Sequence, residues 1–326
     1  MTTSGTISTT TFSTRRVIDT AFRRCGIVAQ KITAEMQNYA RDALYLLLSE
    51  LANSKPPSWC IEKILLPMYE NQPIVTLPAG TVGVLNLLYR TQTEVTGTVT
   101  TGASTYTVQF AQATQVATVG INWGIASTAL TFAVSTDGVT WTTAGTDSYT
   151  AASGETVWSD ISQPMPFLYF RITTAGTLTY NDIVLANNPN EIPLGVLNRD
   201  QYANQSNKIF PGRPNSYWFQ RDLPMPVLNL WPAPNEAAEV AVLVCWRHRH
   251  VMDVGTLAQS IEVPQRWLEA VTAQLAVQVG RETPEADPAR MQINENWAPL
   301  AMQKARDGDN DGSPSFYQPM IMYYTR

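Results

Sequence analysis

Charge is scarce in this sequence. Only 15% of its 326 residues are Asp, Glu, Lys or Arg, against roughly 25% in an average globular protein. With a net charge of −5 it lacks the basic excess that tight wrapping of nucleic acid requires, because phosphates are neutralised by lysine and arginine. Cysteine is nearly absent. Cys25, Cys60 and Cys245 are an odd number without C-x-x-C spacing, so neither a disulfide framework nor a structural zinc site is expected. Each reads as a small apolar core residue in a reducing compartment. The two histidines, His248 and His250, share one predicted strand end, which leaves few options for a Ser–His–Asp arrangement and too few ligands for a metal site. There is no P-loop, G-x-S-x-G, H-E-x-x-H or Gly-rich dinucleotide turn, so neither an enzyme nor a cofactor is expected. Long apolar runs are missing too. The uncharged stretch 95–136 is rich in Thr, Gly, Ser and Gln, whereas a membrane span needs about 20 predominantly apolar residues. Residues 1–13 have no apolar core of the kind a secretory leader carries.

What charge there is lies unevenly. Residues 95–186 hold no lysine, one arginine (Arg171) and five acids, a net of −4, while the other 234 residues carry 21 basic and 22 acidic groups. The middle segment is also distinct in kind: 21 of its 92 residues are threonine, which suits pleated surfaces. Alternation in Tyr106–Phe110, Leu130–Val134 and Leu168–Ile172, broken by turn signals at Thr136-Asp137-Gly138 and Thr174-Ala175-Gly176, predicts an antiparallel β-sandwich.

The flanks read as mixed. Residues 1–12 offer nothing to pack and are expected to form a mobile arm. Ser13 or Thr14 caps a helix with Val17, Ile18, Ala21, Phe22 and Cys25 on one stripe and Gly26 as its stop. A second helix from about Thr33 carries Met36, Ala40, Ala43, Leu44, Leu47, Leu48 and Leu51 on one face. Strands are predicted at 61–68, 73–77, 216–221, 227–231 and 240–250, and a short helix at 199–206. Pro264 and Asp287-Pro288 open two more helices, the last running to about Lys304 and kinked or interrupted by Pro299. The expected fold class is α+β. Residues 1–94 and 187–326 form one discontinuous body with a small sheet, and 95–186 form a self-sufficient sandwich hung on a loop near 90–95 and 186–190.

The order of motifs resembles the head-to-tail adaptor proteins of short-tailed phages, the group of tail accessory factors and tubular tail protein A. The likeness rests on the opening helix pair through Leu51-Ala52-Asn53 and on Lys208-Ile209-Phe210-Pro211-Gly212-Arg213-Pro214 with Tyr217-Trp218-Phe219. It continues in Leu228-Asn229-Leu230-Trp231-Pro232-Ala233-Pro234 and in Pro264-Gln265-Arg266-Trp267. It covers about 225 residues and leaves out the middle. It implies a structural virion-tail protein, assembled in the host cytoplasm into a homo-oligomeric ring, usually of twelve. The ring joins the portal protein to the tail nozzle or tube, DNA passes through transiently and without sequence preference, and no membrane is involved. The insert would hold a tail fibre, a spike or another tail component. Within the insert, Phe132–Trp141 is similar to the strand–turn–strand of discoidin-type sandwiches. That similarity implies an alternative, a carbohydrate-binding host-surface module on a helical scaffold.

Four groups of residues are candidates for contacts. Arg15, Arg16, Arg23 and Arg24 would dock on an acidic portal surface or touch passing DNA, or else form a solvated helix face. Phe316, Tyr317, Met320, Ile321, Met322, Tyr323 and Tyr324 make an apolar tail expected to dock on a neighbour or the portal. Trp123, Trp141 and Trp158 would stack a sugar or hold a partner, or else fill the sandwich core. Asp307, Asp309 and Asp311 begin like a calcium loop, but Gln318 stands where the bidentate Glu belongs, so a flexible acidic linker is the expectation and no metal is assigned.

Overall fold

A computed structural model describes residues 12–54, 58–124, 129–148, 154–161, 165–236 and 240–309. The expected N-terminal arm up to residue 11, Asp311 and the seven tail residues Phe316 to Tyr324 lie outside these. The fold is α+β, in two compact units: residues 1–60 with 250–326, and residues 61–249.

The first unit is helical. α1 (Thr14–Arg24) and α2 (Ala34–Ser54) come from the start of the chain. After the short α3 (Arg199–Ala203), which belongs to the other unit, α4 (Gln265–Glu282) and α5 (Pro288–Gly308) come from its end. The apolar stripes meet in one core of Val17, Phe22, Leu44, Leu47, Trp267, Val271 and Leu275. α4 packs against each of the other three, whereas α2 and α5 barely meet. Both ends of α1 are satisfied by the far end of the chain. Ser13 accepts from the Arg16 amide, and the Thr14 and Arg15 amides donate to the carbonyls of Gln259 and Leu257. At the other end, Asp287 N–H, the Arg290 guanidinium and the Asn294 amide donate to the carbonyls of Cys25, Arg23 and Arg24. These are the orphan groups that a helix end must hand to a partner. Gly26 follows at φ +84°, a left-handed conformation that glycine adopts without penalty.

α5 does not break at Pro299. The helix runs through it to Gly308, because Pro299 and Glu295 both face outward and water reaches the carbonyl that the missing N–H leaves unpaired. The helix also overruns the expected acidic linker. Asp309 accepts from Ser58 N–H (2.9 Å) and Oγ (2.6 Å) and pairs with Arg266. Burial alone would raise its pKa, but these donors hold the carboxyl below the usual range. A carboxylate with three donors is a clamp on the end of α5, which corrects the flexible-linker expectation for its first half.

The second unit is β-rich. The strands leading into the middle segment are β1 (Ile61–Pro67), β2 (Ile74–Thr76) and β3 (Thr81–Glu94). The middle holds β4 (Thr98–Thr101), β5 (Thr105–Thr114), β6 (Thr118–Trp123), β7 (Ala129–Ser135), β8 (Thr142–Ser148), β9 (Thr156–Asp160) and β10 (Phe167–Thr174). β11 (Tyr180–Pro193) returns the chain. After it come β12 (Gly195–Val196), β13 (Pro211–Gly212), β14 (Ser216–Gln220), β15 (Val227–Trp231), β16 (Ala233–Pro234) and β17 (Val242–Arg249).

The sandwich faces a five-stranded sheet, β4-β5-β10-β7-β8, against β6, β9 and the first half of β11. Phe132, Phe170, Ile172, Ile121 and Trp123 fill the space between. It is not hung on a loop. β11 pairs with β6 from Tyr180 to Ala186 and with β3 from Ala186 to Pro193, so one continuous strand threads both parts into the sheet β1-β17-β3-β11-β6-β9. The expected joint at 94 and 186 is the paired position Glu94↔Ala186. Asn187-Asn188-Pro189, where the loop was expected, forms a register shift, with Asn188 at φ +51°, a bulge that re-aims a strand without ending it. The expected single body of both flanks is therefore divided. Helices from the two chain ends form one unit, and the flanking strands join the insert in the other.

Candidate functional site

Among the described residues, three places bear on what the molecule could receive. The first is a cleft of about 390 Å³ in the β unit. Its floor is three strands wide. The antiparallel register sets Asp182, Asn122 and Thr156 in one row and Val184, Gly120 and Trp158 in the next. The wall is Pro67 to Glu70, the turn that follows β1, with Glu94 and Val240 beside it. Tyr69 ties the wall to the floor, its hydroxyl accepting from the Thr156 amide at 3.0 Å. Gly120 is required there: a Cβ at this position would lie 2.8–2.9 Å from the six-membered ring of Trp158. The lining carries three carboxylates (Glu70, Glu94 and Asp182) and no basic residue.

The indoles do not form a platform. Trp123 is wholly buried in the sandwich core, and Trp158 is 5% exposed, packed with Val242 and Val244 of β17. Trp141 is half-buried with the Arg171 guanidinium 3.9 Å above its ring. Trp123 alone fills the sandwich core, Trp158 lines the cleft and Trp141 lies under Arg171, so the three indoles form no common platform, which corrects the reading of them as one sugar-stacking surface. The Phe132–Trp141 hairpin is held by Asp137, which accepts from Val139 N–H, Thr140 N–H and Ser135 Oγ at 2.8 Å each. Those donors push its carboxyl far below the usual range.

The second place is a hollow of about 440 Å³ on the helical unit, lined by Ser13, Arg15, Arg16, Asp19, Arg23, Ala29 and Ile32. It brings together three of the four candidate arginines. Arg15 pairs with Asp19 at 3.8 Å, Arg16 lies 4.0 Å over the Phe12 ring, and Arg23 donates to Thr20 Oγ1. Arg24 is turned away to Glu269 of α4 at 2.6 Å, a partly exposed pair between two helices.

The third is a pair of bare apolar stripes on the same unit. α5 exposes Ile293, Trp297 and Leu300 at i, i+4 and i+7, and α2 exposes Tyr39 and Leu46 at i and i+7. Periodicity alone missed them, because the strong buried stripes of the same helices dominate the pattern. The three cysteines are all buried; burial pushes Cys25 up to about 11 and Cys245 up to about 12, which keeps them as unreactive thiols. Among the described residues no group of three or more His, Cys, Asp and Glu is arranged to hold a metal, and no helix is long and apolar enough to cross a membrane.

No protein-family model matches the chain, and no curated protein matches it. Solved structures are similar to its sandwich. One is a family 32 carbohydrate-binding module of a family 31 glycoside hydrolase from Clostridium perfringens (12% identity, 41% of this chain and 98% of that one, TM-score 0.23). Another is the family 32 module of C. perfringens NanJ in complex with galactose (11%, 40% and 96%, 0.22). A third is the C-terminal domain of a chitobiase from Bacteroides fragilis (8%, 27%, 0.22), of which the chain spans 64% of the length. The likeness is one of fold, to a discoidin-type sandwich, and spans about 40% of the chain in the first two; none of the three is a phage protein.

Proposed function

We propose that the chain is a structural ring adaptor of a short-tailed phage, joining portal to tail nozzle or tube, with its sandwich holding a fibre, a spike or another tail component. The observation that carries this reading is the pair of bare stripes on a single helical unit. Singly scattered apolar residues need no explanation, but aligned ones, with a tryptophan among them, mark a surface meant for a partner. A molecule with two such faces on different helices can give one to each neighbour, and a repeated head-to-tail contact that closes makes a ring. The motif order described above supports the reading from the sequence side. The Arg15–Arg16–Arg23 hollow supplies a concave basic surface for an acidic portal face, and the net negative charge favours DNA sliding past over sticking to it.

Electron microscopy and mass measurement of the full chain across a concentration series test the proposal. Closed rings of defined order, growing at the expense of monomer as concentration rises, are the expected result. A chain that stays monomeric throughout, alone and co-expressed with a portal protein, refutes it.

The acid-lined cleft favours a second reading, in which the β unit binds a saccharide. Carboxylates, Asn122 and Thr156 are the acceptors and donors that sugar hydroxyls need, and Tyr69 offers an aromatic edge. A glycan array with the whole chain tests it; the sandwich alone is unsuitable because β11 belongs to both parts of the sheet. Saturable binding that Tyr69→Ala abolishes supports this reading, and no binding by the parent chain ends it.

A further inference from the structure

We infer that the outer face of the five-stranded sheet binds an acidic saccharide chain, with Arg171 taking its carboxylate and rows of threonine its hydroxyls. The inference needs neither the ring nor the cleft, whose floor is on the other sheet.

Strand alternation builds the face. On β10, the central strand of β4-β5-β10-β7-β8, Phe170 and Ile172 are wholly buried between the sheets, so Tyr169, Arg171 and Thr173 stand on the opposite side. Register then sets side chains in rows. Thr105, Thr173, Thr131 and Thr146 are paired in turn from β5 to β8, and Thr100, Thr107 and Arg171 from β4 to β10. Neighbouring strands lie about 4.8 Å apart, so the first row presents its hydroxyls at regular steps over about 14 Å. These hydroxyls have no hydrogen-bond partner among the described residues.

A wall stands beside the rows. Ala133 and Ser135 take outward positions on β7 yet are only 6% and 4% exposed, because the turn after β7 folds back over them. A Cβ at Gly138 would sit 3.2 Å from the Tyr169 ring, and Trp141 lies against the Arg171 guanidinium. Arg171 is therefore placed where covered and open sheet meet.

The guanidinium selects the ligand. It is the one basic group in residues 95–186. No acid among the described residues pairs with it, and its Nε is buried without a hydrogen-bond partner, which is costly to leave so. Stacking on Trp141 occupies one face of the plane and leaves the N–H donors unspent, in the fork that matches a carboxylate. Threonine hydroxyls, which both donate and accept, suit the hydroxyls of a sugar. The rows hold no large apolar side chain to anchor a protein interface, and the segment's net charge of −4 disfavours a polyphosphate chain.

An array of uronate-containing, sialylated and neutral glycans, followed by calorimetric titration of the full chain, tests it. Saturable binding to acidic glycans alone is expected. R171Q should weaken it at least about tenfold, as charged hydrogen bonds are lost. R171K keeps the charge without the fork and should fall between the two. T131V/T173V removes two hydroxyls at nearly constant shape and should weaken binding about threefold or more; it decides alone should R171Q fail to fold. Y69A should bind like the parent. Equal affinity for neutral and acidic glycans, parent-like binding by a folded R171Q or by T131V/T173V, or no acidic glycan bound overturns the inference. Loss of binding in Y69A with R171Q unchanged also overturns it, but leaves the cleft reading standing.

Discussion

Trp123→Ala is expected to lower the stability of the β unit by about 3–5 kcal/mol, the usual cost of deleting a large buried aromatic side chain. Trp123 is fully enclosed and sits with Ile121, Tyr106 and Leu178 in the core of the sandwich. A void in a close-packed core is felt. Trp141→Ala is the internal comparison. It removes a half-buried ring with the Arg171 guanidinium 3.9 Å above it, a contact worth about 0.5–1 kcal/mol at a partly exposed site. Urea unfolding followed by hydrogen exchange of the β6 amides measures both. If the two substitutions cost the same, the assignment of Trp123 to the core is wrong.

The second large effect belongs to Arg90, which fastens the insert to the flanking strands. It stands on β3 with only 5% of its side chain exposed, donating to Asp160 of β9 at 2.6 Å and to Glu191 of β11 at 2.5 Å; Lys63 of β1 reaches the same Asp160. Four strands therefore meet at one ion cluster. Removing one member of a buried pair strands the others, which costs about 3–5 kcal/mol when they are fully enclosed. Asp160 and Glu191 are 41% and 36% exposed, so water recovers part of that. We expect Arg90→Met to lose about 2–3 kcal/mol near neutral pH.

The cluster also sets an acid response. Burial pushes the Asp160 carboxyl up, but the hydrogen bonds and charges of Lys63 and Arg90 outweigh it and hold the group below its ordinary 3.8. A pKa lower in the folded chain than in the unfolded one means that protons bind the unfolded state more tightly. The stabilisation is then complete above 3.8 and is lost as pH falls below it toward the folded pKa. Asp160→Asn removes this contribution. Unfolding free energy measured at about pH 7 and about pH 3 should therefore fall less in the variant than in the parent chain. Equal falls in the two would show that Asp160 is not held low.

Much of this was legible beforehand. The α1 cap at Ser13, the α5 start at Asp287-Pro288 and the strands β1, β2, β14, β15 and β17 lie where capping residues and alternation put them, since these signals act within a few residues. The sandwich was legible from threonine content and period. The cleft was not, because Asp182, Asn122 and Thr156 are 26 to 60 residues apart in sequence and become a row only through the register of β11, β6 and β9. The same is true of Arg90, Asp160 and Lys63, three unremarkable charges until three strands align.

Local chemistry, read along the chain, determined which segments become helix or strand, that the fold is α+β, and that residues 95–186 hold a sandwich, because backbone preference and hydrophobic period are properties of neighbours. Only the tertiary structure decided where the units divide. Asn187-Asn188-Pro189 can end a strand or bulge it, and pairing on both sides of β11 made it a bulge. It also decided which apolar residues stay bare. A helix shows the same period for apolar residues it buries in its own core and for those it leaves exposed, and packing against α4 separated the two.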